Sequence, residues 1–469
     1  MSGITSAFNV ARSGLAINSQ WSEVVSGNIA NADNPDYGRR TLNRASFSDG
    51  SVVATGVIRA TDASLTRMFR EEYGRMTRQE ALSTGLTAYT TALGSIDDAG
   101  APTQLLSQFQ TSLDFLFNDP GQSSLQQAAL QSAQALTRGL NRVSGDLDTA
   151  TNETYQRLTS DMTEANKLMQ QISDVNTKLA RTEPNSALYV TLKDQQESAL
   201  NQLSAYADIK ISDGPQGSVN VRTTGGARLI DGTEVFNFEY DRGTGVLTAG
   251  GYEVTPGRAI GVSEGSIAGH VELLVTTLPK IRLQLDEFAR GLIQTFENSD
   301  ASIAPPAAGL FTDNGAAYDP ASLTGLAGRI SVNDAVNPNA GGALWRLRDG
   351  IGATTPGAQG ESTQLGAFID ALDAPQSFDG ASGLPTGIAL SEFGAAMISA
   401  QQDIRARADE AFDNYAASAG SIDDARLNAQ GVSLDDELQQ LLMVEKSYAA
   451  NAQVISALSD MLDALLAAT

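Results

Sequence analysis

Residues 433–466 read SLDDELQQLLMVEKSYAANAQVISALSDMLDALL, and this stretch decides the fold class. A 4-3 spacing laid on Leu434, Leu438, Leu441, Glu445, Tyr448, Ala452, Ile455, Ser459, Leu462 and Leu466 meets apolar residues at eight of ten positions. That is the seam of a coiled-coil-like helix. Ser433 fits as N-cap, and Asp435, Asp436 and Glu437 put negative charge at the positive helix end. A narrow apolar stripe of this kind cannot be buried by the helix that carries it.

The beginning of the chain mirrors its end. Over residues 2–30 the same spacing on Ile4, Phe8, Ala11, Leu15, Asn18, Ser22, Val25 and Ile29 meets six apolar residues in eight positions. The pattern stops at Asn31-Ala-Asp-Asn-Pro-Asp-Tyr-Gly38, where Pro35 and Gly38 favour a turn. Residues 39–80 follow with eight arginines (Arg39, Arg40, Arg44, Arg59, Arg67, Arg70, Arg75 and Arg78) interleaved with carboxylates, which read as a solvated face rather than a polyanion site.

Between the ends the period changes twice. Residues 103–206 are nearly all helix formers, broken at Asp119-Pro-Gly121 and Glu183-Pro184, with seams through Leu158, Met162, Ala165, Met169, Ile172 and Leu179. Long helices with narrow seams pack antiparallel. From Asp208 the period is two. Ser218–Arg222, Arg228–Ile230, Val235–Tyr240 and Tyr252–Val254 read as short strands, punctuated by Gly225-Gly226, Asp231-Gly232, Arg242-Gly243 and Gly250-Gly251. Helix returns at about 266–298 and 391–418, whereas 301–390 holds 7 of 14 prolines and 14 of 44 glycines, too irregular for a large domain of its own. The expected fold is mainly α with a smaller β part, elongated and multi-domain. Its terminal helices pair as a coiled coil, and a long antiparallel helical rod carries a β-hairpin-rich subdomain. The expected division is 1–80 with 420–469 as the terminal core and 81–300 with 390–419 as the helical domain. The β-rich part lies at about 207–262, and 301–389 forms a loop-rich Gly/Pro segment or small outer subdomain.

Composition removes most chemistry. The 469 residues hold 31 Lys and Arg against 55 Asp and Glu, a formal charge of −24, which repels both nucleic acid and anionic membrane surfaces. With no cysteine there is no thiolate metal site or nucleophile, and the single histidine, His270, cannot supply a site that needs two imidazoles. Charged residues make up only 18%, and the small uncharged side chains in their place suit surfaces covered by neighbouring subunits. Met1 to Phe8 lack the basic and apolar regions of a cleavable signal peptide, and no apolar run approaches the ~18 residues of a membrane span. A soluble chain exported by another route is expected.

No catalytic constellation emerges. Asp97-Asp98, Asp423-Asp424 and Asp435-Asp436 are doublets that point apart, whereas glycosidase carboxylates converge across a cleft. Gly243-Thr-Gly245 lacks the third glycine and following helix of a dinucleotide site, and Asp313-Asn-Gly315 lacks the ladder of a calcium loop. His270 reads as a structural residue of an apolar helix. No catalytic, cofactor or metal residue is expected, and the chain reads as a non-enzyme.

The two ends together resemble the axial proteins of the bacterial flagellum, the rod, hook and hook-associated family. At the N-terminus the resemblance lies in the seam helix, then Gly27-Asn-Ile-Ala-Asn31 and Asn34-Pro-Asp-Tyr-Gly-Arg39. The family pattern is Ala-Asn-x-x-Thr-x-Gly-Tyr. Ala30, Asn31 and Tyr37 match it, while Asn34 stands for Thr and Asp36 for Gly. Gly431–Leu438, Tyr448–Ile455 and Met461–Leu466 are similar to the family's closing helix. Lys193-Asp-Gln-Gln-Glu197 through Leu200 and Leu203-Ser204 resembles the Leu-Asp-Gln-Arg-Asp…Leu-Ser element of its hook–filament junction members, with Gln196 where Arg is usual.

The resemblance implies a structural subunit at the hook–filament junction, exported through the flagellar type III apparatus and extracellular in the assembled flagellum. The implied assembly seam is Ile4, Phe8, Leu15, Val25 and Ile29 with Leu434, Leu438, Leu441, Tyr448, Ile455, Leu462 and Leu466. The implied partners are further copies of itself, the hook protein, a second hook-associated junction protein and an export chaperone. The chaperone would take the last helix at Leu438, Leu441, Tyr448, Ile455 and Leu462. Charge fits the meeting of the ends: residues 1–78 hold nine arginines against seven acids, and 420–469 two bases against eight acids. Three alternatives remain. A hook or rod subunit would lack helix at 122–206, a secreted enzyme would need a deep cleft with a perturbed acid within 207–390, and a cytosolic coiled-coil scaffold would stay inside the cell.

Overall fold

The structure, a computed structural model, describes residues 2–304 and 306–467, without the side chains of Ser2 and Leu465. The expected outer boundaries at Met1 and Thr469 lie outside the described residues. Helix makes up 63% and strand 11%. The helices are α1 (Ser2–Ala30), α2 (Ala63–Leu93), α3 (Pro102–Asn118), α4 (Ser123–Leu179), α5 (Ala187–Tyr206), α6 (Ser266–Glu272), α7 (Leu278–Ser299), α8 (Arg346–Asp349), α9 (Thr363–Asp373), α10 (Leu390–Gln430) and α11 (Leu434–Ala467). Strands β1 (Arg40–Ser46) and β2 (Val52–Arg59) follow α1. Strands β3 (Ile209–Asp213), β4 (Val219–Thr223), β5 (Arg228–Asp231), β6 (Glu234–Val235), β7 (Phe238–Asp241), β8 (Val246–Ala249) and β9 (Tyr252–Glu253) follow α5, and β10 (Phe311–Asp313) and β11 (Ile330–Val332) lie late in the chain.

The chain divides into two compact units. The first holds residues 1–78, 160–268 and 413–469 and therefore both ends of the chain. In it α11 packs on α1, β1 pairs antiparallel with β2, and the strands after α5 form a sheet in the order β3-β4-β5-β6 and a second in the order β7-β8-β9. Strands β3 and β8 join those expected from the alternation, completing antiparallel meanders whose turns use the quoted glycines. The hairpin β1–β2 corrects the expectation of a solvated arginine face at 39–80. Leu42 and Val57 oppose each other in the register and bury with Ile17 and Val190. Its turn is Phe47-Ser-Asp-Gly-Ser51, with Gly50 at φ +85° and the Ser51 amide donating to Asp49 Oδ1 (2.9 Å).

The second unit holds residues 79–159 and 269–412 around one apolar core. Phe296 sits among Phe109, Phe311 and Phe368, ring centroids 5.7, 5.1 and 4.9 Å away. Residues 301–389, expected as a loop-rich segment or small outer subdomain, send Phe311, Leu326, Ile330 and Phe368 into this core. Phe311 and Ile330 lie on the paired strands β10 and β11 and Phe368 on α9, close to the short strand at 329–332 and the helix at 363–372 that the sequence suggests. Between α6 and α7, Leu273–Thr277 widens into a π turn just before Pro279, whose missing amide interrupts the helical ladder. His270 is buried in α6.

Candidate assembly site: the ends of the chain

The sites that sequence patterns single out lie on α1, on α11 and on the turn after α1. The two helices run antiparallel: Asn28 meets Glu437, Trp21 meets Gln440, and Asn18 meets Ser447. Trp21 Nε1 donates to Gln440 Oε1 (3.3 Å) and Asn18 Nδ2 to Ser447 Oγ (2.9 Å). Farther along, Gly14 leaves room for Asn451, since a Cβ there would stand 2.7 Å from Asn451 Oδ1.

The predicted stripes fare differently on the two helices. On α1, Val25 is buried, Ile4, Leu15 and Ile29 are half-buried, and Phe8 is exposed. On α11, Leu441 and Ile455 are half-buried, whereas Leu434, Leu438, Tyr448, Leu462 and Leu466 are 47%, 51%, 52%, 42% and 73% exposed. Among its described residues α11 buries Glu437, Val444 and Leu458, at intervals of seven and fourteen. The helix therefore has two faces. One, mixed in polarity, lies on α1, and the other, rich in leucine, points outward.

A polar hub sits where α1 ends. Asn31 Nδ2 donates to Gly27 O (2.8 Å), capping the helix, and the turn closes through Asn34 N to Asn31 O (3.0 Å) and Tyr37 N to Asn34 O (3.1 Å). Ala30 and Asn34 are exposed, Asn31 half-buried and Tyr37 buried. Tyr37 Oη donates to Asn28 Oδ1 (2.9 Å), which also accepts from the Arg40 amide (2.9 Å). Asn28 Nδ2 donates to Arg40 O (2.9 Å) and Glu437 Oε2 (3.0 Å), so this buried amide has every hydrogen-bonding site filled. The Glu437 side chain is 0% exposed, and Arg39 Nε reaches its Oε1 at 2.7 Å. The phenol of Tyr37 is raised, first by burial and then by Asp194 and Glu437, against the pull of Arg40. Asp36, where the family pattern has glycine, accepts from Ser198 Oγ (2.8 Å). Among described residues the non-glycine positions of positive φ are Asn185, Gln216 and Asn314, so this turn needs no left-handed backbone at Asp36.

The hub continues into an ion-pair network on α5. Arg40 Nη2 lies 2.7 Å from Asp194 Oδ2 and donates to Thr191 Oγ1 (3.1 Å); Arg59 Nε lies 2.9 Å from Asp194 Oδ1, and Arg59 also pairs with Glu197. Arg70 Nε donates to Asn201 Oδ1 (2.7 Å). Three of the arginines expected in solvent are thus mostly buried. Desolvation pulls Arg70 down to about 10 although Glu197 opposes it. Burial also raises Asp194, against Arg40 and Arg59, whereas for Glu197 the two arginines Arg59 and Arg70 outweigh burial and hold its carboxyl low. The same helix anchors the sheet: Gln196 Nε2 donates to Asn176 Oδ1 (2.8 Å), and Asn176 Nδ2 to Val219 O (2.9 Å) and Gly232 O (2.7 Å).

Sequence patterns missed Asn28, Glu437, Arg40, Arg59 and Asp194 as a group. The signal for the hairpin was present in Asp49-Gly50, the same chemistry that marks the later turns. Within 207–390 the buried Asp286, raised by desolvation, accepts from the Gly325 (2.7 Å) and Ala327 (2.9 Å) amides, and so anchors a loop.

Comparison with known proteins places this arrangement. Residues 91–302 match the flagellar hook-associated protein FlgK helical domain, and 424–468 the flagellar basal body rod FlgEFG protein C-terminal family. Flagellar hook-associated protein 1 of Bacillus subtilis is 22% identical over 99% of this chain and 98% of its own length. Across its length the chain is similar to flagellar hook-associated protein 1. The Salmonella typhimurium member is 23% identical over 49% of this chain and 43% of its own length. A solved structure of the flagellar hook junction protein FlgK from Burkholderia pseudomallei aligns with a TM-score of 0.47 at 18% identity, over 53% of this chain and 47% of that one. The first family match spans α4 and α5, with Asp194 and Glu197, and the second spans α11, with Glu437.

Proposed function

We propose that this protein is a structural subunit of the bacterial flagellum that joins hook to filament, assembling through α1 and α11 after export. The observation that carries this reading is the outward face of α11, where Leu434, Leu438, Tyr448 and Leu462 are exposed on a helix whose other face is occupied by α1. Monomers rarely leave such a stripe uncovered unless a partner takes it. The partners are the next copies of the chain, the hook protein and a second hook-associated junction protein. Before export, a chaperone holds α11 by Leu438, Leu441, Tyr448, Ile455 and Leu462, the helix-in-groove mode. Export by the type III route without a cleaved signal places the protein in the extracellular flagellum. Helices α4 and α5 count against a hook or rod subunit, for which helix at 122–206 is not expected.

Electron microscopy of a strain lacking this gene tests the reading: hooks without filaments are the expected result. Complete filaments on the deletion strain would overturn it, and hooks missing altogether would favour the hook or rod alternative.

A further inference from the structure

We infer that docking of α11 on α1 and ordering of the first hairpin are a single event, keyed by Asn28 and Glu437. Asn28 lies in the first helix and Glu437 in the last, 409 residues apart in sequence, yet one hydrogen bond joins them. The same Asn28 side chain holds the Arg40 amide and carbonyl, the two backbone groups that open β1. The neighbouring Arg39 carries two ties to the end of the chain: its amide donates to Gln430 O (2.8 Å) and its side chain pairs with Glu437. Two adjacent residues therefore report to opposite sides, Arg39 to α10 and α11, Arg40 to Asp194 on α5.

Lifting α11 away from α1 strips Asn28 Nδ2 and Arg39 Nε of their acceptor at once. Asn28 then keeps only its bonds within the N-terminal segment, and these, no longer covered by α11, compete with water. The apolar support beneath the hairpin is small, with Ile17, Leu42, Val57 and Val190 as its buried residues. Strand β2 also has ties that do not involve α11: the Val52 amide donates to Ser13 Oγ (3.2 Å), the Val57 amide to Asn185 O (2.7 Å), and Arg59 pairs with Asp194 and Glu197. The turn at 31–39 and the start of β1, where Asn28 and Arg39 make their bonds, therefore take part of their order from the last helix, and coupling of this kind is reciprocal, so ordering the hairpin also favours docking of α11. A partner that removes α11 from α1 loosens the N-terminal hairpin, whereas one that covers only the outward leucine face leaves it intact. The N-terminal region acquires its final order only when the last segment of the chain is in place.

Amide hydrogen exchange on the full-length monomer tests this. Glu437→Ala is expected to speed exchange at Arg39, Arg40 and 52–58 on the order of ten-fold, as loss of a charge-assisted hydrogen bond implies. The amides of β3–β6 should keep parental rates. Leu438→Ala, one residue on and facing outward, should change neither. Glu437→Gln keeps an acceptor for Asn28 without the charge facing Arg39, and a rise of a few-fold at the same amides is expected. Hairpin amides at parental rates in Glu437→Ala, with α11 itself exchanging faster, would overturn the coupling. Equal acceleration in β3–β6 and the hairpin would also overturn it, by showing general destabilisation.

Discussion

At the scale of single residues, two glycines of the first unit separate what a side chain can give way to from what it cannot. A Cβ at Gly14 would meet the far end of the Asn451 side chain, which can rotate aside. Alanine in mid-helix gains about 1 kcal/mol over glycine, so Gly14→Ala is expected within about 1 kcal/mol of the parent in urea unfolding. A Cβ at Gly56 would stand 2.6 Å from Asn185 Cβ and 3.0 Å from its carbonyl oxygen, at φ +142°. Neither the backbone conformation nor the neighbour can accommodate it, and Gly56→Ala should cost about 2–3 kcal/mol. Titration gives a second contrast. The carboxyl of Glu197 is held low, so its contribution is present above the ordinary glutamate range and is lost as pH falls through the folded value. Asp194, raised by burial, has the opposite sign: its ionised form costs stability above its folded value, and protonation relieves that cost. Glu197→Gln should therefore flatten the acid limb of a stability–pH curve for the first unit. An unchanged limb would assign acid unfolding to other carboxylates.

At the scale of elements, the two faces of α11 make different demands. Gln at Leu434, Leu438 and Leu462 replaces exposed apolar surface, and the monomer is expected to melt within a degree or two of the parent while filament attachment is lost. Asp at Leu441 and Ile455 puts charge where α11 lies half-buried; it should cost on the order of 2–3 kcal/mol and loosen the helix. A triple-Gln monomer that melts much earlier would mean that the outward leucines already pack within the chain. The helix itself was legible: Ser433 and the acidic first turn mark its start, and it begins at Leu434. Which face meets α1 was not, because Glu437 and Asn451 look like surface residues until Asn28, Arg39 and Gly14 are seen opposite them. Periodicity finds stripes of apolar residues, whereas the hub is polar and joins residues hundreds of positions apart. The same limit hid the Arg40–Asp194 and Arg59–Asp194 pairs, since a buried arginine and a solvated one are identical in sequence. The family resemblance pointed to Lys193–Glu197 and to Tyr37, and these were the parts of the site visible beforehand.

At the scale of the whole molecule, the formal charge of −24 sets how the protein responds to salt. Two contributions oppose each other. Exposed ion pairs such as Arg407–Asp403 and Lys167–Glu164 weaken as salt screens them, but such pairs contribute little in any case. The pairs of Arg40 and Arg59 with Asp194 are mostly buried and are screened much less. The excess of carboxylates, in contrast, repels throughout the chain and between copies, and about 0.1 M salt shortens the reach of that repulsion to roughly 10 Å. Screening of repulsion should win. The monomer's melting temperature is expected to rise by a few degrees between low and physiological sodium chloride. Self-association should respond more strongly, because each copy brings the full charge and the outward face of α11 carries Asp435, Asp436, Glu445, Asp460 and Asp463 beside its leucines. Sedimentation at a fixed protein concentration should show larger species as salt rises, since the apolar stripe keeps its attraction while counter-ions screen the repulsion between the acids. Dissociation on adding salt would mean that ion pairs between copies, and not the leucine face, hold the assembly together.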